Sequence, residues 1–134
     1  MSESNSLESK VENILNAIGI KFEKRKLRDA TLFTTVWKTD KWDALQIDIV
    51  SSDNLVVVFS NPPVSVEGRE GWLLMRNWDY NFAHYASDEH GRVIIVSNIR
   101  GEHLTEDDMK LSLASVIRLA DELRVESPGD DVLD

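Results

Sequence analysis

The stretch FAHYASDEHGRVIIVSNIRGEHLTEDDMKLSLASVIRLADEL, residues 82–123, decides the fold. Phe82, His84 and Ala86 alternate with Ala83, Tyr85 and Ser87, the period of two that puts successive side chains on opposite faces of a strand. Asp88-Glu89-His90-Gly91 then turns the chain into a second extended run, Arg92 to Ile99, which predicts a β-hairpin. The spacing changes at Leu104. Thr105 is a good N-cap, Asp108 sits where a capping-box residue reaches back, and Leu104 is placed to staple onto Met109. Glu106, Asp107 and Asp108 complement the positive end of the helix dipole. Met109, Leu113, Val116, Ile117, Ala120 and Leu123 form one helical stripe. The unit is therefore a hairpin running into a long amphipathic helix.

Working back from the hairpin, residues 67–77 predict a short helix containing Trp72, Leu73, Leu74 and Met75, although Gly68 and Gly71 each cost about 1 kcal/mol there relative to alanine. Its apolar residues spread around more than one side, too widely for a single internal contact to bury. Asn61-Pro62-Pro63 ends a preceding run of strands, because proline has no N–H to donate to a ladder. That run holds three strands. Residues 32–37 read as the first, and residues 42–49 as the second, with Leu45, Ile47 and Ile49 on one face and Gln46 and Asp48 on the wet one. Residues 55–59 are apolar throughout, as in a central strand or one covered on both faces. The short connections at residues 39–41 and 51–54 require antiparallel pairing. Ile20 to Lys24 offers a short lead-in strand. At the start, Leu7, Val11, Ile14, Leu15 and Ile18 recur at helical spacing behind Ser6 as a cap, with Gly19 as the stop.

The resulting expectation is an α+β domain with one antiparallel sheet and the order helix, three strands, short helix, two strands, long helix. A length of 134 residues suits one domain with a continuous core. Residues 1–6 read as a flexible N-terminus, 7–124 as the domain and 125–134 as a disordered acidic tail, from the composition around Ser127-Pro128-Gly129-Asp130-Asp131.

Composition excludes several functions. No cysteine is present, which removes disulfides, thiol nucleophiles and Cys-rich zinc sites and fits a reducing compartment, the cytoplasm being the simplest. The N-terminus lacks a secretory signal, and no apolar run approaches the roughly 20 residues of a membrane span. A net charge of −9 repels nucleic-acid phosphates. Against it, Lys21, Lys24, Arg25, Lys26 and Arg28 form a basic cluster, read as a solvated strand edge or as a docking patch for an acidic partner.

Chemistry is sparse. No serine lies in G-x-S-x-G, and Gly68-Arg69-Glu70-Gly71 matches neither a P-loop nor a dinucleotide fingerprint. His90 beside Asp88 and Glu89, and His103 beside Glu102, lack diagnostic metal-ligand spacing and read as exposed polar residues; His84 lies in a strand. No catalytic residue, metal ligand or cofactor site is assigned. Trp37, Trp42, Trp72 and Trp78 are many for a small acidic domain, and tryptophan serves both cores and interface hot spots. The region from Trp72 through Trp78 and Tyr80 to Tyr85 is the place to look for a contact surface. The hairpin is apolar on both faces, with Val93, Ile95 and Ile99 on one and Ile94 and Val96 on the other, so helices of this chain or a second copy must cover the second face.

The order of elements, with Trp72-Leu73-Leu74-Met75-Arg76-Asn77 before a strand ending in Tyr85-Ala86, the Asp88 to Gly91 turn, Val93-Ile94-Ile95-Val96 and Leu104-Thr105-Glu106, resembles the YbjN family and the related type III secretion chaperone-like fold. The resemblance runs from Leu7 to Arg124. It implies a homodimeric, cytosolic, non-enzymatic protein that holds or regulates another polypeptide, without a cofactor and without binding nucleic acid or membrane. It further implies Trp72, Met75 and Tyr85 at the dimer interface, and Leu15, Ile18 and Phe22 in contact with an extended client protein. A small-ligand binder or enzyme using a pocket between the last helix and the sheet is the alternative.

Overall fold

The computed structural model describes the backbone of residues 3–78 and 82–127 and the side chains of 7–78 and 82–127. The elements are α1 (Glu3–Ala17), β1 (Glu23–Lys26), β2 (Thr31–Trp37), β3 (Leu45–Ser52), β4 (Leu55–Ser60), α2 (Glu70–Trp78), β5 (His84–Ser87), β6 (Val93–Arg100), a 3-10 turn (Gly101–His103) and α3 (Glu106–Glu126). The expected order is present, and the lead-in expected at Ile20 to Lys24 appears as β1, shifted to Glu23–Lys26. One sheet runs β1-β2-β3-β4-β6-β5, antiparallel throughout. β6 therefore lies inside the sheet against β4, and the hairpin's first strand, β5, is left at the edge.

Alternation decides which face is filled. Phe33, Ile47, Ile49, Val56, Val58, Val93, Ile95 and Ile99 are buried, and beneath them lie Leu7, Val11 and Leu15 of α1 and Met109, Leu113, Val116, Leu119, Ala120 and Leu123 of α3. Full burial of such a side chain is worth about 1.5–3 kcal/mol, so these layers dominate stability. Between them, Ser97 Oγ donates to Ser112 Oγ at 2.9 Å, satisfying two buried hydroxyls. The opposite face carries Leu32, Val50, Val57, Phe59, Ile94 and Val96, all half-buried. Among the described residues no helix lies over this face, so of the two covers expected for it, helices of this chain and a second copy, the first is not found.

Local chemistry adjusts several boundaries. α1 starts at Glu3, so Ser6 lies within the helix and not at its cap, while Gly19 (φ 80°) does end it, with Ile20 N–H donating to Leu15 O at 3.0 Å. The strand predicted from residue 42 begins at Leu45, because Thr39 folds the preceding segment: its hydroxyl accepts from Trp42 N–H at 2.9 Å. Ser51 and Ser52 belong to the β3–β4 ladder, leaving Asp53 (φ 42°) and Asn54 as the turn. α2 starts at Glu70 and not at Glu67, since Gly68 (φ 82°) has a backbone that a right-handed helix excludes. The hairpin strand starts at His84 and not at Phe82. At α3 the expected cap is present, Asp108 N–H donating to Thr105 Oγ1 at 3.1 Å. Leu119 and Ser112 join the buried stripe, and Ile117 is only half-buried. The helix continues to Glu126, two residues into the stretch read as tail; Tyr80 and residues 128–134 lie outside the described residues.

Candidate protein-binding surfaces

α2 turns one residue inward, Leu73. Trp72 is half-buried against Tyr85, their ring centroids 5.5 Å apart, and the Arg76 guanidinium lies 5.9 Å from the Trp72 ring. Arg76 also pairs with Glu122 of α3 at 2.9 Å. Polar and aromatic contacts thus fasten α2 to the domain while its outer side stays apolar. Leu74 is 72% exposed, Met75 73%, Trp78 90% and, just beyond the helix, Phe82 56%. Positions 74, 75 and 78 share one side of a helix, so the patch is continuous. Large apolar side chains gathered this way on a small domain mark an interaction surface.

Of the three residues expected at a dimer contact, Met75 is presented outward and Trp72 is half-buried beside it. Tyr85 is 3% exposed: its hydroxyl donates to Leu119 O at 2.6 Å, so it props the patch from beneath and does not form it. Leu74 and Trp78 take the outward role. Their signal was the spacing from Leu73, the one residue of α2 in the buried class.

The first helix shows a similar split. Leu15 is fully buried, Ile18 is half-buried, and half-buried Phe22 packs edge-on to Phe33 with ring centroids 5.3 Å apart. Between α1 and the start of α3 runs a shallow groove of about 650 Å³, lined by Lys10, Asn13, Ile14, Ala17 and Leu104 among others. A second hollow of about 220 Å³ lies at the end of α1, lined by Ile18, Ile20, Trp37, Leu113, Ala114 and Ile117. Trp37 Nε1 is buried with no acceptor among the described residues. Leu113 and Ile117 of α3 and Trp37 of the sheet line this hollow, which makes it a candidate for the alternative ligand pocket between the last helix and the sheet.

The basic cluster has internal partners. Lys24 Nζ donates to Glu12 at 2.7 Å, Lys26 Nζ lies 2.7 Å from Glu8, and Thr31 also donates to Glu8. These bonds, first that from Lys26 and then that from Thr31, hold the Glu8 carboxyl below the usual glutamate range, and Glu12 raises the Lys24 ammonium. β1 therefore reads as an edge strand guarded by charge and partly neutralised by α1. His90 and His103 are exposed beside Glu89 and Glu102. Among the described residues no group of three or more His, Asp or Glu side chains is gathered as a metal site, and no helix is long and apolar enough to cross a membrane.

No protein-family model matches the chain, and no curated protein matches it in sequence. Solved structures do match. A chain from the crystal structure of the Yersinia pestis type III secretion chaperone SycH with a stable fragment of YscM2 aligns at TM-score 0.61 and 13% identity, over 85% of this chain and 96% of that one. A chain of the HopA1–SchA chaperone–effector complex aligns at TM-score 0.66 and 11% identity, over 89% and 94%. A chain of the ExsC–ExsE complex aligns at TM-score 0.58 and 14% identity, over 98% and 100%. The fold is that of the type III secretion chaperones. The YbjN resemblance rests on the local sequence alone.

Proposed function

We propose that this chain is a non-enzymatic protein-binding module of chaperone or regulator type, acting in the cytoplasm as a homodimer. The observation that carries the reading is the outer side of α2, where Leu74, Met75 and Trp78 are exposed together on a helix that polar contacts already hold in place. A fold shared with chaperones found in complex with protein partners supports it. Two copies meeting through α2 remove these side chains from water, the dominant favourable term in association. Trp72 and Tyr85 back the contact from within.

The client belongs in the groove between α1 and α3. Ile14, Ala17 and Leu104 offer apolar contact there, and Ile18 lines the adjoining hollow at the end of α1. Leu15 and Phe22 support the groove from the core side. The absence of cysteine fits a reducing compartment.

Light scattering behind a sizing column tests the dimer. The expected mass is twice 15.2 kDa over a wide concentration range, falling to the single-chain value in Trp78→Glu. A single-chain mass for the unaltered protein at every concentration overturns the homodimer.

A further inference from the structure

The two edges of the sheet are met by different means, one by charge and the other by a side chain of α2. β1 at one edge is Glu23-Lys24-Arg25-Lys26, four exposed residues of which three are basic. β5 at the other edge is His84-Tyr85-Ala86-Ser87 and carries no formal charge apart from a histidine. A short, weakly charged edge invites pairing with another chain, more so beside exposed apolar residues, and here Leu74, Met75, Trp78 and Phe82 are its neighbours in sequence and on α2.

Asn77, at the end of α2, meets that edge. Its Nδ2 donates to Tyr85 O at 2.8 Å, and its Oδ1 accepts from Tyr85 N–H at 2.6 Å. A carboxamide presents a donor and an acceptor in one plane, as a peptide unit does. The pair of bonds reproduces the reciprocal exchange that a residue on a further antiparallel strand makes with its partner. β6 occupies the inner side of β5, so the Tyr85 groups taken by Asn77 are those a seventh strand would need. With four residues in β5, Tyr85 supplies a large share of its free edge.

We infer that Asn77 closes the β5 edge against strand addition, by an extended segment of another chain or by a second copy, so that partners meet this end of the domain through side chains of α2 and not through backbone pairing. The inference is independent of the homodimer: the guard acts whether the α2 patch binds a second copy, a client or nothing.

The test is amide hydrogen exchange at Tyr85 joined to solution mass, on the full chain. In the unaltered protein the Tyr85 N–H is protected like the amides of β6; exchange at the rate of an unbonded edge amide overturns the inference without any variant. In Asn77→Ala that amide exchanges about tenfold faster, the equivalent of one intramolecular hydrogen bond. Its mass also grows with concentration beyond that of the unaltered protein, and adding His84→Lys, a charge guard of the kind β1 carries, returns the mass to its original value. Asn77→Ala with an unchanged circular dichroism spectrum and an unchanged mass at every concentration overturns the guard.

Discussion

α2 and α3 stand side by side, joined by the Arg76–Glu122 pair, yet they use apolar residues in opposite ways. α3 is 21 residues long and buries seven of them in one stripe against the sheet. α2 is nine residues long, buries Leu73 and exposes Leu74, Met75 and Trp78. The long helix puts most of its apolar residues into the core it completes, leaving Leu111 and Val125 exposed. The short one carries more apolar surface than its own domain uses, and it is held by an ion pair, a ring contact and Asn77. Internal packing thus uses most of the apolar surface of α3 and leaves that of α2 exposed, as the proposed contact requires.

The sharpest break in the contrast is a pair of truncations. Leu119→Ala, at a fully buried position of α3, is expected to cost about 2–5 kcal/mol through lost transfer energy and the cavity left behind. Leu74→Ala on α2 should stay within about 0.5 kcal/mol. Urea unfolding of both variants, taken at concentrations where the mass is known, measures the difference; equal losses would erase the distinction between the helices. Next in size, Thr105→Ala removes the acceptor for Asp108 N–H and should cost about 1 kcal/mol, since α3 begins at a true cap. α2, by contrast, follows a glycine turn at Gly68 (φ 82°). Smaller still in stability is Met75→Glu, expected within about 0.5 kcal/mol of the unaltered protein as a monomer, while shifting the solution mass as Trp78→Glu does. A large loss of monomer stability would mean that α2 is core after all.

The smallest effect concerns pH. The Glu8 carboxyl, bonded by Lys26 and Thr31, titrates below its ordinary value in the folded chain. A lowered folded value means that its stabilising contribution is complete above the ordinary glutamate range and is lost as pH falls through that range toward the folded value. Glu8→Gln should therefore melt below the unaltered protein at neutral pH, and the gap should close on acidification. A gap that persists unchanged to low pH would remove the carboxylate as its cause.

Much of this architecture is legible without coordinates. The N-cap and stripe of α3, the alternation of β3 and the Gly19 stop are local chemistry, and each falls where residue spacing places it. The misses share a cause. Trp37, Trp42, Trp72 and Trp78 look alike as letters, yet Trp42 is buried with its Nε1 donating to Ala120 O at 2.8 Å, Trp37 and Trp72 are half-buried, and Trp78 is almost free. Tyr85 and Leu15 are apolar or aromatic residues at plausible contact positions, and both lie inside. Composition cannot separate a tryptophan that fills a core from one that waits at its rim, because the difference is made by which element packs next to it.

The sequence by itself determined the element types, the antiparallel meander and which face of each strand is apolar, since a period of two or 3.6 is a property of neighbouring residues. Only the tertiary structure decided that β6 pairs with β4 and leaves β5 at the edge, that the helices α1 and α3 both pack on the same sheet face, and that Asn77 meets the Tyr85 backbone. Those outcomes depend on contacts between residues distant in the chain, where competing pairings bury similar apolar area and the choice between them rests on the packing of the whole.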